Sequence, residues 1–491
     1  MSSSPPLILV IDEGTTSTRA MLFRPDGSVA GSAQQVLIQH YPAPGHVEHD
    51  AAEIWDKSLA VAREMVAAAG GAANIAAIGI TNQRETMVAW DKASGEPLGT
   101  ALVWQDRRTA DFCAGLRDAG HEAAIQAKTG LLLDPYFCAS KMEWLLGNRP
   151  ELAAARDRLA FGTIDSWLLW KLTGGAVHAT DASNASRTML MALDGAEWDE
   201  ALCALFRVDP ASLPRITDCA GQLGESDPAL FGRAIPICGM AGDQQAATIG
   251  QGCLTEGDTK ATFGTGAFVL ANSGGTPLHS RNRLLTTVLC QIGGQRTYAL
   301  EGSLFVAGSL MQWLRDGAGL LVSAPESEAL ARSVPDNGGV YMVPALSGLG
   351  APHWRPEARG LIRGISFATT RAHLVRAALE AQAHQVYDLM IAFEADGEKW
   401  ERLRIDGGMV ANEWLAQDLA DILDLTVERP NMLETTALGA AMLAAVGAGI
   451  YPSLEGAAAA MGGEVTRFEP RMTAVDREHR LGGWREALAR V

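Results

Sequence analysis

The chain has 491 residues, a length that calls for two domains rather than one core. Hydrophobic residues make up 47% and charged residues 20%, which excludes a disordered chain. The net charge of −17 argues against a nucleic-acid partner, because so acidic a surface repels a phosphate backbone. It leaves nucleotide binding open, since ATP is held by local backbone amides and Mg²⁺ rather than by net charge.

The Met-Ser-Ser-Ser-Pro-Pro start has no basic region, and its apolar run ends at Asp12, so no signal peptide is expected. Residues 7–11 form a continuous apolar run. They are followed by Asp12-Glu13-Gly14-Thr15-Thr16-Ser17 and then by residues 19–23. This reads as strand, tight polar turn, strand. Helical periodicity follows over residues 51–69 and 131–146. Between them Gln83-Arg84-Glu85 sets a guanidinium beside a carboxylate, and far downstream Gly242-Asp243-Gln244-Gln245 adds a second carboxylate and two amides. Together these groups suit a small neutral polyol held by many hydrogen bonds and deprotonated at one hydroxyl.

Glycines 250, 252 and 257 mark the expected passage between domains, with a hinge there. A second hairpin is predicted from residues 260–263, Gly264-Thr265-Gly266 and residues 268–270, so the two halves share a construction. Each Gly/Thr turn offers backbone amides and hydroxyls to phosphate oxygens, although Gly and Thr also populate ordinary turns. Residues 373–390 have helical periodicity. Residues 403–405 then lead into Asp406-Gly407-Gly408 and an amphipathic helix over residues 411–423, which aims a helix N-terminus at a ligand. The Ala/Gly-rich run 437–450 is too short for a membrane span and reads as a buried helix.

Seven scattered cysteines, with no Cys-x-x-Cys, fit reduced, buried thiols in a cytoplasmic protein. The chain has no Gly-Lys dipeptide for a Walker A loop, no Gly-x-Ser-x-Gly, no His-Glu-x-x-His and no protein-kinase signatures. It also lacks a Gly-x-Gly-x-x-Gly after the first strand. His46, Glu48, His49 and Asp50 crowd four ligand types into one Pro/Gly-rich loop, a spacing that seldom wraps one ion, so a polar loop is expected there.

Residues 9–19 resemble the first phosphate loop of the FGGY carbohydrate kinases, members of the actin-like, ribonuclease-H-like ATPase superfamily. The resemblance continues through Ile80-Thr81-Asn82-Gln83-Arg84-Glu85-Thr86, Trp104, Asp134-Pro135-Tyr136-Phe137 and residues 181–190. Further matches are residues 241–245, 264–268, 301–316 and 406–412, with two longer signatures at 136–148 and 360–380. It spans roughly residues 7 to 450.

The resemblance implies an α/β fold of two ribonuclease-H-like domains with a central cleft. Residues 1–249 would carry the polyol site and first phosphate loop, and residues 250–491 the adenine nucleotide site. It implies transfer of the γ-phosphoryl group of Mg-ATP to a terminal hydroxyl of glycerol, giving sn-glycerol 3-phosphate and ADP. The implied glycerol pocket is Arg84, Glu85, Trp104, Tyr136, Asp243, Gln244 and Phe268, with Asp243 as general base. ATP would meet Thr15, Thr16, Ser17, Arg19, Thr265, Gly308 and Gln312, with Gly408 and Asn412 at the adenosine end. Mg²⁺ would sit near Asp12 through waters. The pocket chemistry agrees: Arg84 donates, Glu85 and Asp243 accept, Tyr136 and Gln244 do both, and Trp104 and Phe268 supply flat apolar faces. A homodimer or homotetramer is the implied assembly.

Two departures stand out. Position 13 is Glu where glycerol-phosphorylating members usually carry Gln, so its carboxylate is expected to point away from the phosphates. The loop 226–233 has one Arg and no His. Control by a sugar bisphosphate or by histidine phosphorylation, known for this loop in relatives, is therefore not expected. Two other readings stay open: a sister kinase for a tetritol, pentulose or aldonate, and a nucleotide-operated binding or filament protein like actin.

Overall fold

The computed structural model describes residues 6–355 and 357–491. Two mixed sheets dominate it. The first has six strands in the order Ala220–Glu225, Pro236–Gly242, Ile75–Asn82, Leu7–Glu13, Ser17–Phe23 and Val29–Val36. Leu7–Glu13 pairs antiparallel with Ser17–Phe23 and parallel with Ile75–Asn82, which is itself parallel to Pro236–Gly242.

The second sheet has seven strands, Leu285–Ile292, Gln295–Leu304, Ala267–Gly274, Asp258–Phe263, Arg402–Asp406, Val427–Pro430 and Val465–Phe468. Asp258–Phe263 pairs antiparallel with Ala267–Gly274 and parallel with Arg402–Asp406, repeating the plan of the first sheet. Both hairpins expected from the Gly/Thr turns are therefore present, and each opens its sheet's run of parallel strands. The strands buried on both faces are near-continuous apolar runs, as parallel sheets require.

Helices cover the sheets. Asp50 accepts from the N–H of Ala52 at 2.8 Å and starts the helix Ala51–Ala68 on the first sheet. The periodicity over residues 131–146 resolves differently: the helix is Cys138–Asn148. Pro135 disfavours helical backbone before it, and Asp134 Oδ1 accepts from the N–H of Tyr136 at 2.9 Å in a turn. Likewise, Gly408–Ala411 is a 3₁₀ turn, and the helix Glu413–Leu423 begins after Asn412, whose Oδ1 accepts from Leu415 N–H at 3.0 Å.

The buried Ala/Gly-rich helix is Thr435–Gly447, and it lies on the first sheet rather than the second. Strand glycines make room for it: a Cβ at Gly79 would come within 2.6 Å of the Ala440 carbonyl oxygen. Its N-terminal turn crosses the helix Asp243–Gly250 backbone to backbone, through Gly439 and Gly250. Among the described residues no helix is long and apolar enough to cross a membrane.

Candidate active site

The C-terminal ends of the central strands of both sheets point to one region, where crossover connections leave side chains free to meet a ligand. The turn after Leu7–Glu13 is closed by Gly14 N–H donating to the Ser17 carbonyl at 3.0 Å, leaving Thr16 exposed and Thr15 and Ser17 partly so. Register sets Asp12 opposite Arg19, and their side chains meet at 3.4 Å. Arg19 also pairs with Glu434, just ahead of the helix Thr435–Gly447. Burial pushes the Asp12 carboxyl up to about 6, with Arg19 opposing and the neighbouring Asp243 and Glu434 adding to the rise. That field links the first turn to the predicted base.

Glu13 faces the other way, as strand alternation dictates. It is fully buried and accepts from Ser58 Oγ at 2.8 Å on the helix Ala51–Ala68. The expectation that it turns from the turn's ligand face is met.

At the end of Ile75–Asn82, Arg84 and Glu85 are buried, and Glu85 takes φ 58°, a left-handed conformation that throws its side chain sideways. Lys141 fixes this bend by donating to the Glu85 carbonyl at 3.0 Å and the Tyr136 carbonyl at 2.6 Å. Asp243 begins the helix Asp243–Gly250. Its Oδ1 lies 3.3 Å from Arg84 Nε, and its side chain keeps 33% of its surface open to solvent. Burial raises the Asp243 pKa and Glu85 adds to that, while Arg84 and Lys260 pull it down. A carboxylate raised yet still exposed is suited to accept a proton.

Gln244 Oε1 accepts from Lys260 Nζ at 2.5 Å. Lys260 is fully buried, and burial pushes it down to about 8 against the pull of Asp406 and Asp243.

Three aromatics wall the same space. Trp104 stands edge-on to Tyr136 at 5.8 Å and to Phe268 at 6.4 Å between ring centroids. Its Nε1 donates to Thr15 Oγ1 at 2.9 Å, so the aromatic wall touches the first turn directly. Phe268 comes from the second sheet, so both sheets build the wall.

The remaining predicted residues gather beside the second sheet. The turn 264–266 receives the helix Gly308–Asp316: Gly308 N–H donates to the Gly264 carbonyl at 2.9 Å and Ser309 N–H to the Thr265 carbonyl at 3.1 Å. Gln312 sits exposed on that helix. Gly407, at φ 94°, packs so tightly on Phe263 that a side chain there would overlap backbone, which sets Gly408 beside the same turn. The Asn412 side chain caps its helix and donates to Ser327 Oγ at 3.2 Å, which leaves a second amide hydrogen for a ligand.

Residues without an assigned role in the sequence reading also belong here: Lys141, Arg187, Lys260 and Glu301. Arg187, Lys141 and Glu301 lie inside recognised motifs, but nothing in their spacing shows what they touch. In the loop with His46, Glu48, His49 and Asp50, the ring of His49 backs the first turn, 3.4 Å from Gln83 Nε2, and the carboxylates take other partners. Glu48 pairs with Arg108 at 2.6 Å, Asp50 caps a helix, and burial pushes His49 down to about 4.

The family description "FGGY family of carbohydrate kinases, N-terminal domain" matches residues 7–250, and its C-terminal counterpart matches residues 259–448. The chain belongs to the FGGY family of carbohydrate kinases.

This FGGY kinase is similar to the glycerol kinase of Rhodospirillum rubrum, at 55% identity over 99% of both chains. It is 53% identical to that of Rhodospirillum centenum over 99% of this chain and 98% of the relative. Its fold matches the crystal structure of Plasmodium falciparum glycerol kinase with ADP at a TM-score of 0.93, with 35% identity, covering 99% and 98% of the two chains.

Proposed function

We propose that this FGGY kinase is a glycerol kinase, transferring the γ-phosphoryl group of ATP to a terminal glycerol hydroxyl to give sn-glycerol 3-phosphate and ADP. The observation that carries this reading is the convergence of Arg84, Glu85, Asp243 and the Trp104–Tyr136–Phe268 wall on one cleft. Three hydroxyls shielded from water need matched donors and acceptors, and the carbon chain needs an apolar face. The full-length glycerol kinase relatives support the same substrate.

In this reading Asp243 accepts the proton of the attacking hydroxyl, and Arg84 at its flank keeps it oriented. Gln244 and Tyr136 bind the remaining hydroxyls with Glu85. Arg19 and the turn of Thr15, Thr16 and Ser17 balance charge on the phosphoryl oxygens, and Thr265, Gly308, Gln312, Gly408 and Asn412 hold the rest of the nucleotide. Transfer in this reading is direct and in-line, because acceptor and donor meet in one site, and no phosphoenzyme is needed. Asp12 suits Mg²⁺: it is a hard oxygen donor, crowded by Asp243 and Glu434 and balanced by Arg19, so a divalent cation relieves net negative charge. When bound, that ion neutralises phosphate charge. Closure of the two halves would exclude water as a competing acceptor.

The division at residues 249 and 250 remains the working domain boundary, with the glycine-containing stretch 250–257 as the hinge. Seven buried free thiols support a reducing, cytoplasmic setting, and a homodimer or homotetramer is the proposed assembly. The segment 226–233 forms only the short helix Pro228–Phe231 with Arg233 beyond it, which offers little to hold a sugar bisphosphate. Sub-millimolar inhibition by fructose 1,6-bisphosphate would contradict the absence of that control.

The deciding assay is ADP release with Mg-ATP against glycerol, erythritol, D-xylulose, L-ribulose and gluconate. Fast turnover with glycerol alone is expected. Preference for another polyol would overturn the pocket assignment, and ADP release indifferent to all of them would remove the kinase reading.

A further inference from the structure

The pocket residues Arg84 and Glu85 belong to a buried cluster of two guanidinium groups and two carboxylates, completed by Arg187 and Glu301. Glu301, on the strand Gln295–Leu304 of the second sheet, is fully buried. Its Oε2 accepts from Arg84 Nη1 at 2.6 Å, and its Oε1 accepts from Arg84 Nη2 at 3.2 Å and Arg187 Nη2 at 2.9 Å. Arg187, also fully buried, donates from Nε to Glu85 Oε1 at 2.5 Å. Its guanidinium carbon sits 5.2 Å from the Phe137 ring centroid and 5.7 Å from that of Tyr136. One carboxylate from the second sheet thus reaches both members of the Arg84–Glu85 pair, the first directly and the second through Arg187.

We infer that Glu301 is a positioning residue for polyol recognition, acting across the two halves through Arg84 and Arg187. The inference rests on the glycerol kinase reading above. Its physical basis is the rigidity of the guanidinium fork. With both terminal nitrogens of Arg84 held on Glu301, only the Nε edge is left to face Asp243, at 3.3 Å. If Glu301 is lost or shortened, Arg84 is free to turn its fork onto Asp243, which takes the base out of line. Arg187 is then anchored by Glu85 alone, so its guanidinium can swing and carry Glu85 out of its aim. The pocket residues Arg84 and Glu85 follow the first-half strand Ile75–Asn82 and Asp243 opens a first-half helix, yet their arrangement is set by a strand of the second. Glycerol recognition therefore depends on how the second half is seated, whereas Thr15 and Thr265 in the nucleotide-side turns share no hydrogen bond with this quartet among the described residues.

Two conservative variants of the full-length enzyme, Glu301→Asp and Arg187→Lys, keep every charge and so avoid leaving a buried charge unpaired. Steady-state kinetics in glycerol and in ATP would be measured, together with calorimetric binding of ADP without glycerol. The expected result is a rise in glycerol KM of about tenfold or more and a fall in kcat, with ADP affinity within about twofold of the parent. A general structural defect would weaken ADP binding to the same degree, and that outcome overturns the inference. So does a change in glycerol KM of less than about twofold in both variants. If the parent enzyme itself shows no glycerol-dependent turnover, it is the glycerol kinase reading that fails, and the inference falls with it.

Discussion

The Nε of Arg84 lies 3.3 Å from Oδ1 of Asp243, while its terminal nitrogens are committed to Glu301. The contact holds Asp243 in place without a full bidentate ion pair, which would quench its basicity. Burial and the nearby Glu85 raise the Asp243 pKa, and Arg84 and Lys260 limit that rise. Asp243→Asn keeps the shape and removes the base. It should lower kcat by about 100-fold or more and leave ADP binding nearly unchanged. Pre-steady-state kinetics would separate chemistry from product release, and a loss of less than about tenfold would remove Asp243 from the role.

Glu13 carries the one carboxylate in the first turn that departs from the family pattern. Its contact with Ser58 turns it into the core, on the opposite face of the strand from Asp12. Glu13→Gln should therefore leave the KM for ATP within about twofold of the parent. A large fall in that KM would mean the carboxylate repels the phosphates despite its orientation.

The parts of this molecule that were legible in sequence are those encoded locally. Each Gly/Thr hairpin announces itself by an apolar run, a turn and a second run, and each pocket residue sits in a short motif. The helix Cys138–Asn148 starts later than its sequence pattern suggests, because apolar periodicity continues upstream through residues 131–133 while Pro135 and the Asp134 turn disfavour helix there. The Arg187–Glu301 pair, 114 positions apart, was not legible, because it depends on how one sheet is seated against the other. The docking of Thr435–Gly447 on the first sheet was hidden for a different reason. A helix apolar on all sides declares that it is buried but not against what.

Glu398 provides a stability test away from the site. It is 4% exposed, and burial raises its pKa to about 7, with Glu256 adding to the rise and the Gly257 N–H opposing it. In the unfolded chain the group titrates near 4.3. Between that value and about 7 the folded state holds a proton that the unfolded state has released. Stability from this group is therefore full below the unfolded pKa and declines as pH rises towards 7. Glu398→Gln removes the decline. Its Tm should exceed the parent's at pH 8 by on the order of 2 °C, and the difference should shrink towards zero at pH 5. Equal shifts at both pH values would show that the carboxylate is not strained by burial.

The helices Asp243–Gly250 and Thr435–Gly447 cross backbone to backbone, at a tight junction between the two halves of the chain. A Cβ at Gly439 would overlap the Ala246 carbonyl, and one at Gly250 would overlap the Thr435 carbonyl. The obstacle on each side is backbone, which cannot swing away as a flexible side chain does. Gly439→Ala must therefore separate the helices, and the helix it displaces begins with Asp243. The variant should lose about 3 kcal/mol or more in urea-induced unfolding. Because the base moves with its helix, kcat should fall as well, and raising the glycerol concentration should not restore it. A variant with parental stability and kcat would show that the two helices slide past one another easily, so that this junction does not fix the position of Asp243.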